Sequence, residues 1–271
     1  MKRSILLLFI TLLSFTFCEV HATTRKHIIK GEEVSYVTNG VTCKSYVAYD
    51  ASIKAPRPGI LVVPEWWGCN EYARKRARML AELGYIAIAV DMYGDGLIAN
   101  DPGQANELAS QFYSNPAFAN QRLDAAIGKL KEYPETDHSN IAAIGYCFGG
   151  SMVLNAAKMG MNFKGVVSFH GNLDGVPATL HSTKSAILVC HGGADKFVSA
   201  DDIKHFKGNL DSMSVPYTFI SYPNATHAFT NPDATKVGLK FKLPIKYNPV
   251  ADKKSWNDMQ LFLKKIFAVN K

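Results

Sequence analysis

A cysteine between two glycines, an aspartate after a glycine pair and a histidine beyond it are the residues of this 271-residue chain that could do chemistry. Gly145-Tyr146-Cys147-Phe148-Gly149 fits the G-x-nucleophile-x-G pattern of a sharp strand-to-helix turn, with a thiol where a hydroxyl is usual. A thiol becomes an effective nucleophile when a base takes its proton and an acid orients the base. Asp195, in His191-Gly192-Gly193-Ala194-Asp195, and His227, in Asn224-Ala225-Thr226-His227-Ala228-Phe229, follow Cys147 in the order nucleophile, acid, histidine. They are expected to form a Cys147–His227–Asp195 triad. His227 would take the thiol proton and later pass one to the leaving group, while Asp195 fixes the imidazole tautomer and stabilises its cation.

The helix after Cys147 is expected to aim backbone N–H groups at the sulfur and favour its thiolate. The amide of Phe148 is the expected first oxyanion donor, and Trp66, after the apolar run 60–63, the second. Glu65, in Pro64-Glu65-Trp66-Trp67-Gly68, follows the same run and belongs at the rim of the site. Trp67, Tyr93, Tyr146 and Phe229 are the expected substrate contacts. Each catalytic candidate also has a plain structural reading. Cys147 could be a small apolar residue at a strand end, Asp195 a turn former and His227 an ordinary loop histidine. His170, His181 and His191 compete for the role of base, but His170 precedes the acid and His191 stands too close to its strand to swing across. The histidines lack the spacing of a metal site.

These residues need a scaffold that brings strand ends together. Residues 34–37 and 42–49 read as two strands joined at Asn39-Gly40, the strongest short hairpin signal. The runs 59–63, 85–90, 141–144, 163–169, 186–190 and 217–221 read as further strands. The first two are apolar throughout, as strands buried on both faces are. Helices are expected over 71–83, 117–133, 150–157, 201–213 and 251–267, and long loops over 92–102, 171–184 and 223–248. The alternation predicts an α/β fold: a mostly parallel central sheet with helices on both faces and an antiparallel N-terminal edge hairpin. Asp195 and His227 then leave the carboxyl ends of strands, where open sheets place their sites.

Met1-Lys2-Arg3, an apolar run over 5–17 and Val20-His21-Ala22 describe a secretory signal peptide cleaved after Ala22. Export to the periplasm or beyond is expected, leaving residues 23–271 as one domain. The alternative is an uncleaved anchor, although the run is short for a bilayer span. The net charge of +7 is moderate, and its densest part, Arg74-Lys75-Arg76-Arg78, reads as a solvated helix face. No nucleic-acid partner is implied, since a basic stripe with aromatic platforms is missing. Four cysteines remain after cleavage, at irregular spacings that impose no disulfide framework; a Cys43–Cys69 pair is conceivable.

Together, Pro64-Glu65-Trp66-Trp67-Gly68, Asp91-Met92-Tyr93-Gly94, Gly145-Tyr146-Cys147-Phe148-Gly149-Gly150, His191-Gly192-Gly193-Ala194-Asp195 and His227-Ala228-Phe229 resemble the dienelactone hydrolase family of the α/β-hydrolases. The resemblance implies an α/β-hydrolase fold, a triad of Cys147, His227 and Asp195, and a glutamate, Glu65 here, that engages the resting thiol. It implies hydrolysis of an enol-lactone, dienelactone to maleylacetate, through an acyl-enzyme and without a cofactor. The family's well-known members hold the substrate carboxylate with two arginines. Here Gly94-Asp95-Gly96 and Thr230-Asn231-Pro232 stand at those places. The expected activity is therefore hydrolysis of a small ester or lactone. Thioesters, acylated polymers, a non-catalytic pocket and a thiol–disulfide protein remain open alternatives.

Overall fold

Apolar runs with no polar alternation build the middle of the sheet. In β3 (Arg57–Val63), Leu61 and Val63 enter one core while Ile60 and Val62 enter the other, so the strand is buried on both faces. The computed structural model describes residues 27–179 and 182–268. The expected signal peptide and His181 lie outside the described residues.

Eight strands run in the order β1-β2-β4-β3-β5-β6-β7-β8. β1 (Ile29–Thr38) and β2 (Val41–Asp50) form the expected hairpin, with Asn39 and Gly40 both at positive φ. β2 is antiparallel to β4 (Ile86–Ala89). From β4 onward every neighbour is parallel, through β3, β5 (Thr136–Tyr146), β6 (Gly165–Phe169), β7 (Ala186–Gly192) and β8 (Tyr217–Tyr222). One face is covered by α2 (Pro102–Ser114), α3 (Pro116–Lys131), α4 (Phe148–Lys158) and α5 (Ala200–Ser212). The other is covered by α1 (Glu71–Glu82) and α7 (Pro249–Ala268).

The order places a switch point at the centre. The chain leaves β3 towards α1 on one face and leaves the adjacent β5 towards α4 on the other. A crevice opens where such connections diverge, at the carboxyl ends of the strands. Residues 64–67 and Cys147 stand on its two sides.

Three expectations change. α2, where no helix is expected, begins at Pro102, the last residue of the expected loop 92–102, started by the Asp101 side chain, which accepts from Gln104 N, and by Pro102 in the first turn. α6 (Ala234–Phe241) lies within the expected loop 223–248. The basic run on α1 is not simply a solvated face. Arg76 is only 4% exposed, because its position one turn from Tyr72 and Leu80 puts it on the buried stripe. It donates to the Thr230 carbonyl at 2.7 Å and pairs with Asp252 of α7 at 2.5 Å, with its guanidinium over Tyr72, Tyr146 and Trp256. Cys43, Cys69, Cys147 and Cys190 are all free thiols.

Removing one partner of a buried ion pair leaves the other charge uncompensated. Asp252→Ala is therefore expected to lower the unfolding free energy by about 3 kcal/mol, measured by urea denaturation.

Candidate active site

The turn after β5 is tight on every side. Cys147 has φ 51° and ψ −114°, a region that side chains rarely occupy. The flanking glycines make it possible. A Cβ on Gly145 would lie 2.1 Å from the Gly149 carbonyl oxygen, and one on Gly149 would lie 2.2 Å from that of Val63. The Cys147 N–H is held by the Phe169 carbonyl at 2.9 Å and by Nδ1 of His170 at 3.1 Å. α4 starts at Phe148, so the first N–H groups of that helix have no carbonyl a turn behind them.

His227 follows β8 and Asp195 follows β7. Nδ1 of His227 meets a carboxylate oxygen of Asp195 at 2.8 Å. The second oxygen of Asp195 accepts from the Phe197 N–H at 2.8 Å, so the carboxylate is anchored before it meets the ring. With Nδ1 occupied, Nε2 remains available to the Cys147 sulfur, which lines the same cavity. Burial opposes a proton on His227, yet the Cys147 sulfur and Asp195 outweigh it and raise the pKa above the ordinary histidine value. Phe197 and His170 pack their rings against His227 at 4.9 and 5.3 Å.

A cavity of about 170 Å³ opens beside the sulfur. Glu65, Trp66, Trp67, Cys147 and His227 line it, with Asn106 and Tyr113 from α2, Asn172, Phe197, and Leu243 and Ile245 from beyond α6. Glu65 accepts from Asn231 Nδ2 at 2.7 Å through one oxygen, while the other is buried without a hydrogen-bond partner.

Residues 44–267 match the dienelactone hydrolase family. The chain belongs to that family. Among solved structures it is similar to P91, a dienelactone hydrolase-like promiscuous phosphotriesterase from metagenomic libraries, at 32% identity and a TM-score of 0.82 over 88% of this chain and 98% of that one. A Caenorhabditis elegans protein, K02A2.1, is 35% identical over 150 residues, which are 54% of this chain and 93% of that one. The carboxymethylenebutenolidase of Pseudomonas putida is 26% identical over 136 residues, 46% of this chain and 57% of that one.

In this dienelactone hydrolase relative the structure gathers Cys147, His227, Asp195, Glu65, Trp66 and Trp67 around one crevice, with the Phe148 amide at the helix start beside it. It places three expected substrate contacts elsewhere. Tyr146 points to the opposite core, stacked on Phe169 at 4.8 Å, because successive residues of β5 face opposite sides of the sheet. Phe229 is fully buried against Tyr222 and His170. Tyr93 turns inward and donates to the Trp66 carbonyl at 2.8 Å, so it tethers the residue whose N–H is a candidate oxyanion donor rather than lining the cavity.

His170 is a brace, not a competing base. Its Nδ1 accepts from Cys147, so in the neutral ring Nε2 carries the proton and donates to Thr230 Oγ1 at 2.7 Å. Burial first, then the nearby His227 and Arg76 charges, hold its pKa well below the ordinary value. His191 packs against Phe219 with its Nδ1 unpartnered. Among the described residues no cluster of His, Cys, Asp or Glu could hold a metal ion. Asn106, Tyr113, Asn172, Phe197, Leu243 and Ile245 escaped the sequence reading. The Asp101-Pro102 start with Ala105, Ala109 and Phe112 behind it was the signal that could have found the first two.

Burial pushes the Glu65 carboxyl from its ordinary 4.5 up to about 7 against the pull of Asn231, His227 and Arg76. The folded protein thus keeps this proton where the unfolded chain has lost it. Stability is full below the unfolded value, falls as pH rises from 4.5, and has lost on the order of 3 kcal/mol once pH passes about 7. Glu65→Gln removes this titration. The variant is expected to gain stability over the wild type between pH 5 and pH 8, in thermal unfolding scans at the two values.

Proposed function

We propose that this chain hydrolyses small carboxylic esters or lactones through an acyl-enzyme on Cys147. Membership of the dienelactone hydrolase family supports an enzyme that cleaves ester or lactone bonds. The observation that carries the finer reading is the Asp195-bound His227 imidazole in the same cavity as the Cys147 sulfur at the strained turn.

In the first half, His227 takes the thiol proton and the sulfur attacks the carbonyl carbon. The carbonyl oxygen becomes an oxyanion facing the N–H groups of Phe148 and Trp66, and losing one such donor typically costs 10²–10³ in turnover. As the tetrahedral species collapses, the carbon–oxygen bond breaks and the departing oxygen takes the proton from His227. In the second half, His227 removes a proton from water as its oxygen attacks the thioester carbon; the carbon–sulfur bond then breaks, the acid product departs, and the Cys147 sulfur recovers the proton from His227. Glu65, half-satisfied and beside the sulfur's cavity, helps activate the thiol when substrate displaces its resting contacts. These steps use only protein groups and water.

The similarity to P91 favours a second activity of the same site, attack of the Cys147 thiolate on an aryl phosphotriester. Export also belongs to the proposal, on the cationic start, the apolar run 5–17 and Ala22. N-terminal sequencing of the protein recovered outside the cytoplasm would start at Thr23 if cleavage follows Ala22, and at Met1 if the segment stays.

Cys147→Ala is expected to reduce turnover of a 4-nitrophenyl ester by at least about 10³-fold with the far-UV spectrum unchanged. Intact-mass analysis of the quenched wild type should show one acyl group on Cys147. Unchanged turnover in the variant would remove the proposal. A panel of lactones, aryl esters, acyl thioesters and an aryl phosphotriester ranks the leaving groups.

A further inference from the structure

The cavity that opens beside Cys147 offers a substrate no cation beyond the His227 imidazole, which Asp195 already pairs. Its wall is mostly aromatic and aliphatic, with Trp66, Trp67, Leu243 and Ile245 beside the neutral amides Asn106 and Asn172, and no arginine or lysine of the described residues lines it. Lys196, Lys242 and Lys246 flank Phe197, Leu243 and Ile245 in the chain, but all three lysines are exposed. The ionisable groups that line it besides Cys147, His227 and Tyr113 come down to Glu65, whose free oxygen is buried and unpartnered. Asp174 adds a second acidic charge close enough to act on Tyr113. An acyl group bearing a carboxylate would shed its water here largely against indole and aliphatic carbon, with no arginine or lysine to pair with it. Burying an unpaired carboxylate costs several kcal/mol.

The size of the cavity also has a source. An apolar cavity of about 150 Å³ holds benzene, so about 170 Å³ leaves room for roughly six heavy atoms. One wall is the segment 242–248 beyond α6, tied down along its length. The Leu243 N–H bonds to the Gly238 carbonyl, Ile245 pairs with His227 as a parallel bridge, and the Asn248 N–H bonds to the Phe229 carbonyl at 3.0 Å. Gly238 is needed where this strap crosses α6, since a Cβ there would lie 2.5 Å from the Ile245 carbonyl oxygen. The strap is thus fastened to the loop that carries His227, and it turns Leu243 and Ile245 into the cavity.

We propose that this cavity takes an uncharged, apolar acyl group of about six heavy atoms and rejects one that bears a carboxylate, with Leu243 and Ile245 setting the length limit. The proposal rests on the hydrolase reading above and adds the substrate class.

The test compares 4-nitrophenyl valerate with the 4-nitrophenyl monoester of glutarate, which carry the same leaving group and differ by a terminal carboxylate. The wild-type kcat/KM is expected to favour valerate by at least about 30-fold. Along the neutral series, kcat/KM should hold to hexanoate and fall by at least about 10-fold at decanoate. Leu243→Ala and Ile245→Ala should move that fall to longer chains, and Leu243→Arg should narrow the valerate preference by at least about 10-fold. Equal or faster turnover of the glutarate monoester by the wild type overturns the proposal. So does an unchanged chain-length profile in both alanine variants. If the wild type turns over none of the esters and Cys147 takes up no acyl mass, the hydrolase reading fails and this proposal with it, an outcome distinct from turnover without discrimination.

Discussion

The site depends on one backbone constraint, the positive φ of Cys147 between a strand and a helix. Holding a side-chain-bearing residue there costs on the order of 1–3 kcal/mol and persists only when the surroundings over-determine it. Here they do. The Gly149 N–H reaches back to the Pro64 carbonyl at 3.0 Å, the Cys147 N–H is shared by Phe169 and His170, and the neighbouring glycines leave no space for a relaxed alternative. The same contacts tie the turn to the β3 loop, which carries Glu65 and Trp66. Position of the sulfur and position of the opposing wall are therefore one property of the fold.

A chain of polar groups carries that constraint across the molecule. His170 joins the Cys147 amide to Thr230, Thr230 meets the Tyr72 hydroxyl at 2.7 Å, and Arg76 bonds to the Thr230 carbonyl and to Asp252. α1, α7, the β6 end and the loop after His227 are thereby fixed to one another behind the sheet ends. A buried network of this kind is worth keeping only when its members are satisfied. That explains why a neutral His170 can stand 5.3 Å from the His227 ring without competing for its proton.

What was legible in the sequence follows from what is local. The hairpin at Asn39-Gly40, the apolar strands and the turn at Cys147 declare themselves through neighbouring residues, and so does the fold they imply. The positions of Asp195 and His227 could be read because each sits just past a strand. α6 was hidden because it has eight residues, between Pro232 and Pro244, with lysines on its exposed side. Arg76 misled because a charge was weighed above its one-turn spacing from Tyr72 and Leu80. Tyr146 and Phe229 misled for the converse reason: closeness in sequence to Cys147 and His227 says nothing of which face a side chain takes. His170 and the strap residues owe their places to contacts made across the chain, which no local pattern encodes.

The two missing arginines also acquire a structural meaning. Around Gly94-Asp95-Gly96, the buried Asp91 carboxylate accepts from the N–H groups of Lys44, Tyr93, Gly94 and Gly96, which folds the segment back onto β2 and away from the cavity. At the other place, Thr230 is spent on the polar network, and Asn231 gives Glu65 a single neutral hydrogen bond. A guanidinium could have met both carboxylate oxygens and held them ionised. An amide satisfies one and leaves the other to the cost of burial, which is why this carboxyl keeps its proton towards neutral pH. One substitution pattern thus removes a cation from the substrate's surroundings and, by the same stroke, changes the charge of the glutamate beside the sulfur. A cavity wall without arginine or lysine and a reluctant carboxylate both follow from what stands at these two places.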